Sequence, residues 1–338
     1  MTLQKELVNI RKKEFSPIYT LIGTETYLIE TFKTALKEAV SLDETDDLNI
    51  ISFDMGEIEL SEVIHEAETM PFFGDYKVVF VENPYFLTSE KKKSDLTHDT
   101  TLLEAYLKNP LETTILVFNV PVEKMDERKK IVKLLKKESQ LIDVSPMGEK
   151  ELIPYISSYI ENEEYTVDKQ AFERLMYLTN MNLSQMMNEL NKLFLYTMDT
   201  KRITKTDVDL LIPKSLEHNI LDLNHYVLAN KPDKSLVLYQ ELLVAGEETI
   251  KILSILIGQI RLLLQVKLLV EMNYQQSNIT DALKIHPYRI KLAVQQSRQM
   301  DKVKLGTMFN ELVELDYQIK TGQIDKELGF ELFLLKSR

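Results

Sequence analysis

FSPIYTLIGTETYLIE, residues 15–30, passes from a β-branched and aromatic run, Pro17 to Gly23, straight into a segment of helical period in which Leu28, Phe32, Ala35, Leu36 and Ala39 share a face. A strand that enters a helix through one glycine is the opening unit of an α/β domain. The rhythm continues in NIISFDM (49–55), YKVVFVEN (76–83), TTILVFNV (113–120) and SQLIDV (139–144), each a short apolar run bounded by turn residues. Leu60, Val63, Ile64 and Ala67 mark a helix between the second and third runs. Strands alternating with helices predict a parallel sheet covered on both faces.

After Pro146 the rhythm changes to almost purely helical patterns, as in Leu183, Met186, Met187, Leu190, Leu193 and Phe194, which share one face. LIPK, Leu211 to Lys214, closes a short helix that begins after Thr204, because proline disfavours helical geometry in the residue before it. At 338 residues the chain exceeds what one hydrophobic core supports. The expected domains are 1–145 (α/β), 146–212 (small, helical) and 213–338 (helical). Within the last, ETIKILSILIGQIRLLLQVKLLVEMN (248–273) is apolar on nearly every side. Lys251, Gln259, Arg261, Gln265 and Lys267 interrupt it too often for a bilayer span, so it reads as the buried centre of a helical domain, with no membrane partner.

With 44% hydrophobic and 28% charged residues the chain is ordinary globular material. The absence of cysteine excludes disulfides and thiolate metal sites and fits a reducing compartment. The opening MTLQKELVNIRKKEF lacks an apolar core of signal-peptide length, so a cytoplasmic protein is expected. A net charge of −12 disfavours strong DNA binding by the chain alone, since duplex is held mainly by cations on phosphates. Two basic runs, Lys91 to Lys93 and Arg128 to Lys137, carry no interleaved aromatics for base stacking and read as a loop tip and a solvated helix face.

Gly23, Thr24, Glu25 and Thr26 occupy the turn where a P-loop ATPase cradles phosphates. That chemistry needs several glycines, a Lys for the terminal phosphates and a Ser or Thr for magnesium. Here Gly23 stands alone, none of the nine glycines is followed by Lys, and Glu25 adds negative charge. The third strand ends in Val81, Glu82 and Asn83, an incomplete acidic pair for metal and water. His65, His98, His218, His225 and His286 show neither HExxH spacing nor a nucleophile partner, and no G-x-S-x-G or G-x-G-x-x-G occurs. Surface or capping roles are expected for the histidines. No catalytic residue, metal site or cofactor is expected, and an interaction protein fits better than an enzyme.

The interaction is expected at Met70, Pro71, Phe72 and Phe73. Pro71 lacks an N–H and Gly74 with Asp75 is a turn signal, so two aromatics sit in a connection that normally runs over the surface. Each ring could bury ~150–250 Å² in a partner's pocket, or one could fold back onto the sheet and leave only its neighbour exposed.

Glu311 to Leu335, ELVELDYQIKTGQIDKELGFELFLL, repeats Leu312, Leu315 and Ile319, breaks at Gly322, and restarts with Leu328, Leu332, Phe333 and Leu335, which reads as two short helices meeting at a glycine turn. With Asp316, Lys320, Asp325, Lys326, Glu327 and Glu331 between the apolar positions, this stretch resembles the C-terminal helices of delta subunits of the bacterial DNA polymerase III clamp loader. Similarity extends along the chain. FSPIYTLIGTETYLIE resembles the family's first strand and degenerate nucleotide loop, and TTILVFNVPVEKMDERKKIVKLLKK (113–137) its fourth strand and following helix. NLSQMMNELNKLFLYTMDTKRITKTDVDLLIP (182–213) is similar to its small second domain, with Glu189, Lys192 and Leu193 in an E-L-x-K-L pattern. HPYRIKLAVQQSRQM (286–300) is similar to a third-domain helix. One departure is Leu221 in NILDL where the family commonly has Phe; a large apolar side chain is kept.

The resemblance implies an AAA+-like sheet domain without a functional P-loop, a lid-like small domain, and a helical collar for oligomerisation carrying Leu312, Leu315, Asp316, Lys320, Gly322 and Glu331. It implies that Met70 to Phe73 bind the sliding clamp and help to open it, that the collar joins gamma/tau and delta prime subunits, and that primed DNA is met only within the complex. Any polymerase activity would belong to the holoenzyme. An active AAA+ ATPase and a helical adaptor are the rival readings: the first lacks its P-loop lysine, the second leaves the five-strand domain unexplained.

Overall fold

The computed structural model describes residues 3–40, 46–72, 74–89, 96–298 and 300–336, and the five apolar runs expected as strands are five strands of one sheet. The chain divides into two compact units, residues 1–152 and 153–338.

The first unit runs α1 (Leu3–Arg11), β1 (Ile18–Ile22), α2 (Thr26–Val40), β2 (Ile50–Asp54), α3 (Leu60–Ala67), β3 (Lys77–Glu82), α4 (Thr100–Lys108), β4 (Thr114–Val120), α5 (Lys130–Glu138) and β5 (Gln140–Asp143). Every pairing is parallel, in the order β2-β3-β4-β1-β5. This is the parallel, helix-covered sheet expected. All seven residues of β4 are buried, which is why TILVFNV has no polar alternation. Helix α1, whose Leu3, Leu7 and Ile10 recur at helical spacing, is also tied down by polar chemistry. The buried Tyr19 hydroxyl donates to Glu6 Oε1 at 2.9 Å and accepts the Ser16 N–H at 2.8 Å. Burial and the adjacent Glu6 carboxylate push that phenol's pKa well above its usual range, so it stays a neutral donor.

The second unit continues with α6 (Glu149–Asn162), which straddles the division, then β6 (Thr166–Val167), α7 (Lys169–Leu178), α8 (Leu183–Tyr196), β7 (Arg202–Ile203) and α9 (Lys205–Leu211). The apolar face read on α8 is buried in full. Asn182 caps α8, and Thr204 with Asp207 forms a capping box on α9. The two-residue parallel pair β6-β7 is an addition to the helical pattern expected here, too short to leave a periodic signal.

Seven helices follow: α10 (Leu216–Leu228), α11 (Pro232–Val244), α12 (Thr249–Glu271), α13 (Gln276–Leu283), α14 (Pro287–Arg298), α15 (Lys302–Lys320) and α16 (Lys326–Lys336). By length and composition α12 could cross a membrane, yet half of its most apolar stretch is buried inside the unit, against α10, α14, α15 and α16. It runs through the core of this unit and leaves a narrow polar stripe, Lys251, Ser254, Arg261 and Gln265, exposed.

Candidate functional site

The loop after α3 presents apolar surface outward. Helix α3 buries Leu60, Val63, Ile64 and Ala67 against the sheet, then ends at Glu68. Beyond it Met70 is 68% exposed and Phe72 71% exposed, with Pro71 half-buried between them. Phe73 lies outside the described residues. The Phe72 N–H donates to Oδ1 of Asn49, a buried side chain at the entry to β2, at 2.7 Å. Met70 Sδ lies 3.8 Å from the Thr113 hydroxyl, a weak contact across the loop.

Polar groups from elsewhere hold both ends of α3. At its start the Leu60 N–H donates to His98 Nδ1 at 3.2 Å, while His98 Nε2 sits 3.0 Å from the Met55 carbonyl oxygen, so the proton is assigned to Nε2. The imidazole takes the place of an N-cap side chain, which Glu59 does not supply. At the other end the Lys77 ammonium, fully buried, donates to Glu66 Oε1 at 2.5 Å, to the Glu66 carbonyl at 3.3 Å, and to the Thr69 hydroxyl. A cation at a helix C-terminus answers both the unpaired carbonyls and the negative end of the dipole. Sequence reading overlooked Lys77 although a signal was there. Lys77, Val79 and Val81 alternate onto one face, and that face is core.

The turn at residues 23–26 is tied to the chain leaving β4 and β5. Gly23 has φ +138°, and a Cβ there would lie 2.2 Å from the Val144 carbonyl carbon and 2.3 Å from the Ser145 nitrogen. The glycine is thus needed for close approach of the chain leaving β5. Its N–H donates to the Val120 carbonyl at 3.3 Å and the Glu25 N–H to the Val144 carbonyl at 2.9 Å. Glu25 is 6% exposed and accepts the Tyr27 N–H at 3.4 Å, setting a carboxylate at the start of α2. Thr24 is exposed and Thr26 opens the helix.

Glu82, at the end of β3, is held by protein groups on both oxygens: Lys33 Nζ lies 2.7 Å from Oε1, and Asn119 Nδ2 donates to Oε2 at 2.7 Å. The position that orients metal and water in an ATPase is occupied by an internal ion pair. Lys33 and Lys37 also sit 5.7 Å above the Phe80 ring. Lys33 also lies 3.6 Å from Glu30 one turn back, but its closer pairing, with Glu82 49 positions away, leaves no local signal in the sequence.

In α15 and α16 the structure divides the signature residues by role. Leu312 and Leu315 are core, Asp316 and Lys320 form a surface pair at 2.7 Å, Gly322 turns at φ +73°, and Glu331 is half-buried. Helix α15 is 19 residues long, so one of the two helices is not short. A second correction concerns α16. Periodicity marks Leu328, Leu332, Phe333 and Leu335 as its repeating apolar positions, but of these only Phe333 is buried, together with Phe330 and Leu334, and the three leucines are exposed. Apolar residues surround this helix, so periodicity cannot choose the buried side; the packing of Phe330 on Tyr239, ring centroids 4.8 Å apart, does. The outward leucines stand with Val313 and Tyr317 of α15 as exposed apolar surface.

The basic run of α5 is largely spent on neighbours. Lys130 pairs with Glu104, Lys136 with Glu127 and Lys137 with Glu138, at 2.5–2.8 Å. The Arg128 hydrogen bond holds the Asp126 carboxyl down at about 2, and Lys129 donates to the Phe86 and Thr88 carbonyls. Lys91 to Lys93 lie outside the described residues. His218 is buried, with Nδ1 2.7 Å from the Ser215 hydroxyl at the N-cap of α10 and Nε2 2.8 Å from the Tyr177 carbonyl oxygen. Among the described residues no three His, Asp or Glu side chains assemble as a metal-binding group.

Comparison with known proteins matches three successive stretches of the chain. A family model described as DNA polymerase III, delta subunit, matches residues 19–145. One described as a middle domain matches 148–210, and one for the C-terminal domain of the DNA polymerase III delta subunit matches 217–337. A relative from Bacillus subtilis (strain 168), DNA polymerase III subunit delta, is 39% identical over 328 residues, covering 97% of this chain and 94% of the relative. Among solved structures, the Bacillus subtilis DNA clamp loader delta protein matches with a TM-score of 0.75 at 38% identity, covering 99% of this chain and 98% of that one.

Proposed function

Because this chain belongs to the family of DNA polymerase III delta subunits, we propose that it works as a clamp-loader subunit without ATPase activity, which binds the sliding clamp and helps to open it for loading onto primed DNA. The observation that carries the reading is the Met70–Phe72 loop, two large apolar side chains held outward on an anchored backbone. Sheathing the exposed part of the Phe72 ring in a pocket is worth about 3 kcal/mol before association costs. That is the scale of an anchor residue.

The role is mechanical and requires no covalent step from this chain. Nucleotide chemistry belongs to neighbouring loader subunits in this reading, which is supported by a turn whose Gly23 and Glu25 amides are engaged by carbonyls and by a Glu82 neutralised from within. Residues 1–145 act as the clamp-binding domain, 146–212 as a small helical domain and 213–338 as the collar. The collar meets gamma/tau and delta prime subunits through the exposed apolar residues of α15 and α16. Primed DNA is met within the assembled loader, in the cytoplasm, in keeping with a net charge of −12 on this chain.

The test is equilibrium binding of the replicative sliding clamp to the wild-type chain and to Phe72→Ala, with circular dichroism to establish folding. Wild-type binding weakened about 30-fold or more in the variant is expected, given the anchor energy above. Undiminished binding by Phe72→Ala would move the contact away from this loop, and no binding by the wild type would sink the proposal.

A further inference from the structure

We infer that Asn49 and Lys77 are positioning residues that brace the Met70–Phe72 loop in its binding shape before any partner arrives; this rests on the reading of that loop as the clamp contact. The loop joins α3 to β3 and projects two apolar side chains into water, an arrangement that a slack chain would lose by folding them back. Fixing the backbone of each residue costs about 1–2 kcal/mol, so a loop ordered only on contact would forfeit much of what Phe72 can gain. The structure meets that cost inside the free chain. Lys77 gathers three oxygens at the end of α3, the Glu66 carboxylate and carbonyl in its last turn and the Thr69 hydroxyl just beyond it, and so fixes where the helix stops and the loop begins. Two residues beyond Met70, the Asn49 carboxamide accepts the Phe72 N–H at 2.7 Å and fixes the backbone beneath the exposed ring.

Both braces are buried, Asn49 at 2% exposure and Lys77 at 0%, so neither side chain faces a partner that meets the exposed loop. Their effect has to pass through the loop's conformation. Affinity then scales with the fraction of free molecules whose loop already has the binding shape. Releasing the Phe72 backbone to about one-tenth occupancy of that shape costs about tenfold in affinity, and the loss falls on association.

The experiment uses the full chain and the sliding clamp, comparing wild type, Phe72→Ala, Asn49→Leu and Asn49→Asp by surface plasmon resonance, with amide hydrogen exchange of residues 68–76 in the free protein. Asn49→Leu keeps the bulk and removes the acceptor; Asn49→Asp keeps an acceptor oxygen. Should Asn49→Leu fail to fold, Asn49→Ser withdraws the acceptor with less disturbance and takes its place. Expected are about tenfold weaker binding by Asn49→Leu, carried by slower association, with faster exchange at the Phe72 amide, and near wild-type behaviour in Asn49→Asp. A purely structural role would lower the melting temperature and leave the association rate of the folded fraction untouched. Wild-type affinity in Asn49→Leu alongside lost binding in Phe72→Ala overturns the brace while the clamp contact stands. Wild-type affinity in Phe72→Ala overturns the loop contact and the brace with it.

Discussion

Gly23 and His218 show how much can hang on one side chain or its absence. At Gly23 both backbone geometry and space exclude a Cβ, since φ is +138° and the backbone of Val144 and Ser145 lies within 2.4 Å of where it would be. Gly23→Ala is expected to cost about 4 kcal/mol, from a strained dihedral and a clash with main chain that cannot give way. Chemical denaturation should register it as a lowered midpoint with an unchanged slope. His218 makes a pH-dependent contribution. Burial, outweighing the hydrogen bond to the Tyr177 carbonyl and the nearby Glu217 and Asp222, lowers its pKa below the ordinary 6.5, and burial with Arg289 lowers that of His286. Lowered in the folded state, these groups take up protons more readily when unfolded. Their stabilisation is complete above pH 6.5 and is lost as pH falls through the depressed values. Melting curves between pH 7.5 and 5.5 should therefore fall on acidification, and His218→Asn should flatten part of that slope; a wild-type curve rising towards acid would contradict the assignment.

Among the elements, α3 and α16 present two ways of exposing apolar surface. Helix α3 is amphipathic in the ordinary sense and hands its exposed residues to the loop that follows. Helix α16 has too many apolar residues for one face: Phe330, Phe333 and Leu334 fill the core, and Leu328, Leu332 and Leu335 are left outside. That surplus has no stabilising use within the chain, which is the physical argument for a neighbouring subunit on this side. The double variant Leu328→Asp, Leu335→Asp should fold with stability within about 0.5 kcal/mol per site of the wild type, yet lose at least tenfold in assembly with the other loader subunits. Sedimentation of mixed subunits reads this directly, and unimpaired assembly would point to a different face of the helices between residues 213 and 338. Phe72→Ala should leave this assembly untouched while weakening the clamp contact, so the two surfaces are separable.

Over the whole molecule, the alternation of short apolar runs with helical periods after FSPIYTLIGTETYLIE was enough to write down all five strands, because a strand buried on both faces needs an unbroken apolar run. The same logic gave α12 as a core helix and Gly322 as a turn. Local chemistry determined these features: residue volume, period and backbone freedom act within a few positions. The sequence also put Met70, Pro71 and Phe72 in a surface connection. Only the tertiary structure decided which strands pair, in the order β2-β3-β4-β1-β5, and which side of α16 faces inward. It alone brought Asn49 to Phe72, Lys33 to Glu82 and His98 to Leu60. Each of these joins groups 23 to 49 positions apart. Such pairings are chosen by how the sheet and its covering helices close together, and a buried polar group accepts whichever partner that closure brings within reach.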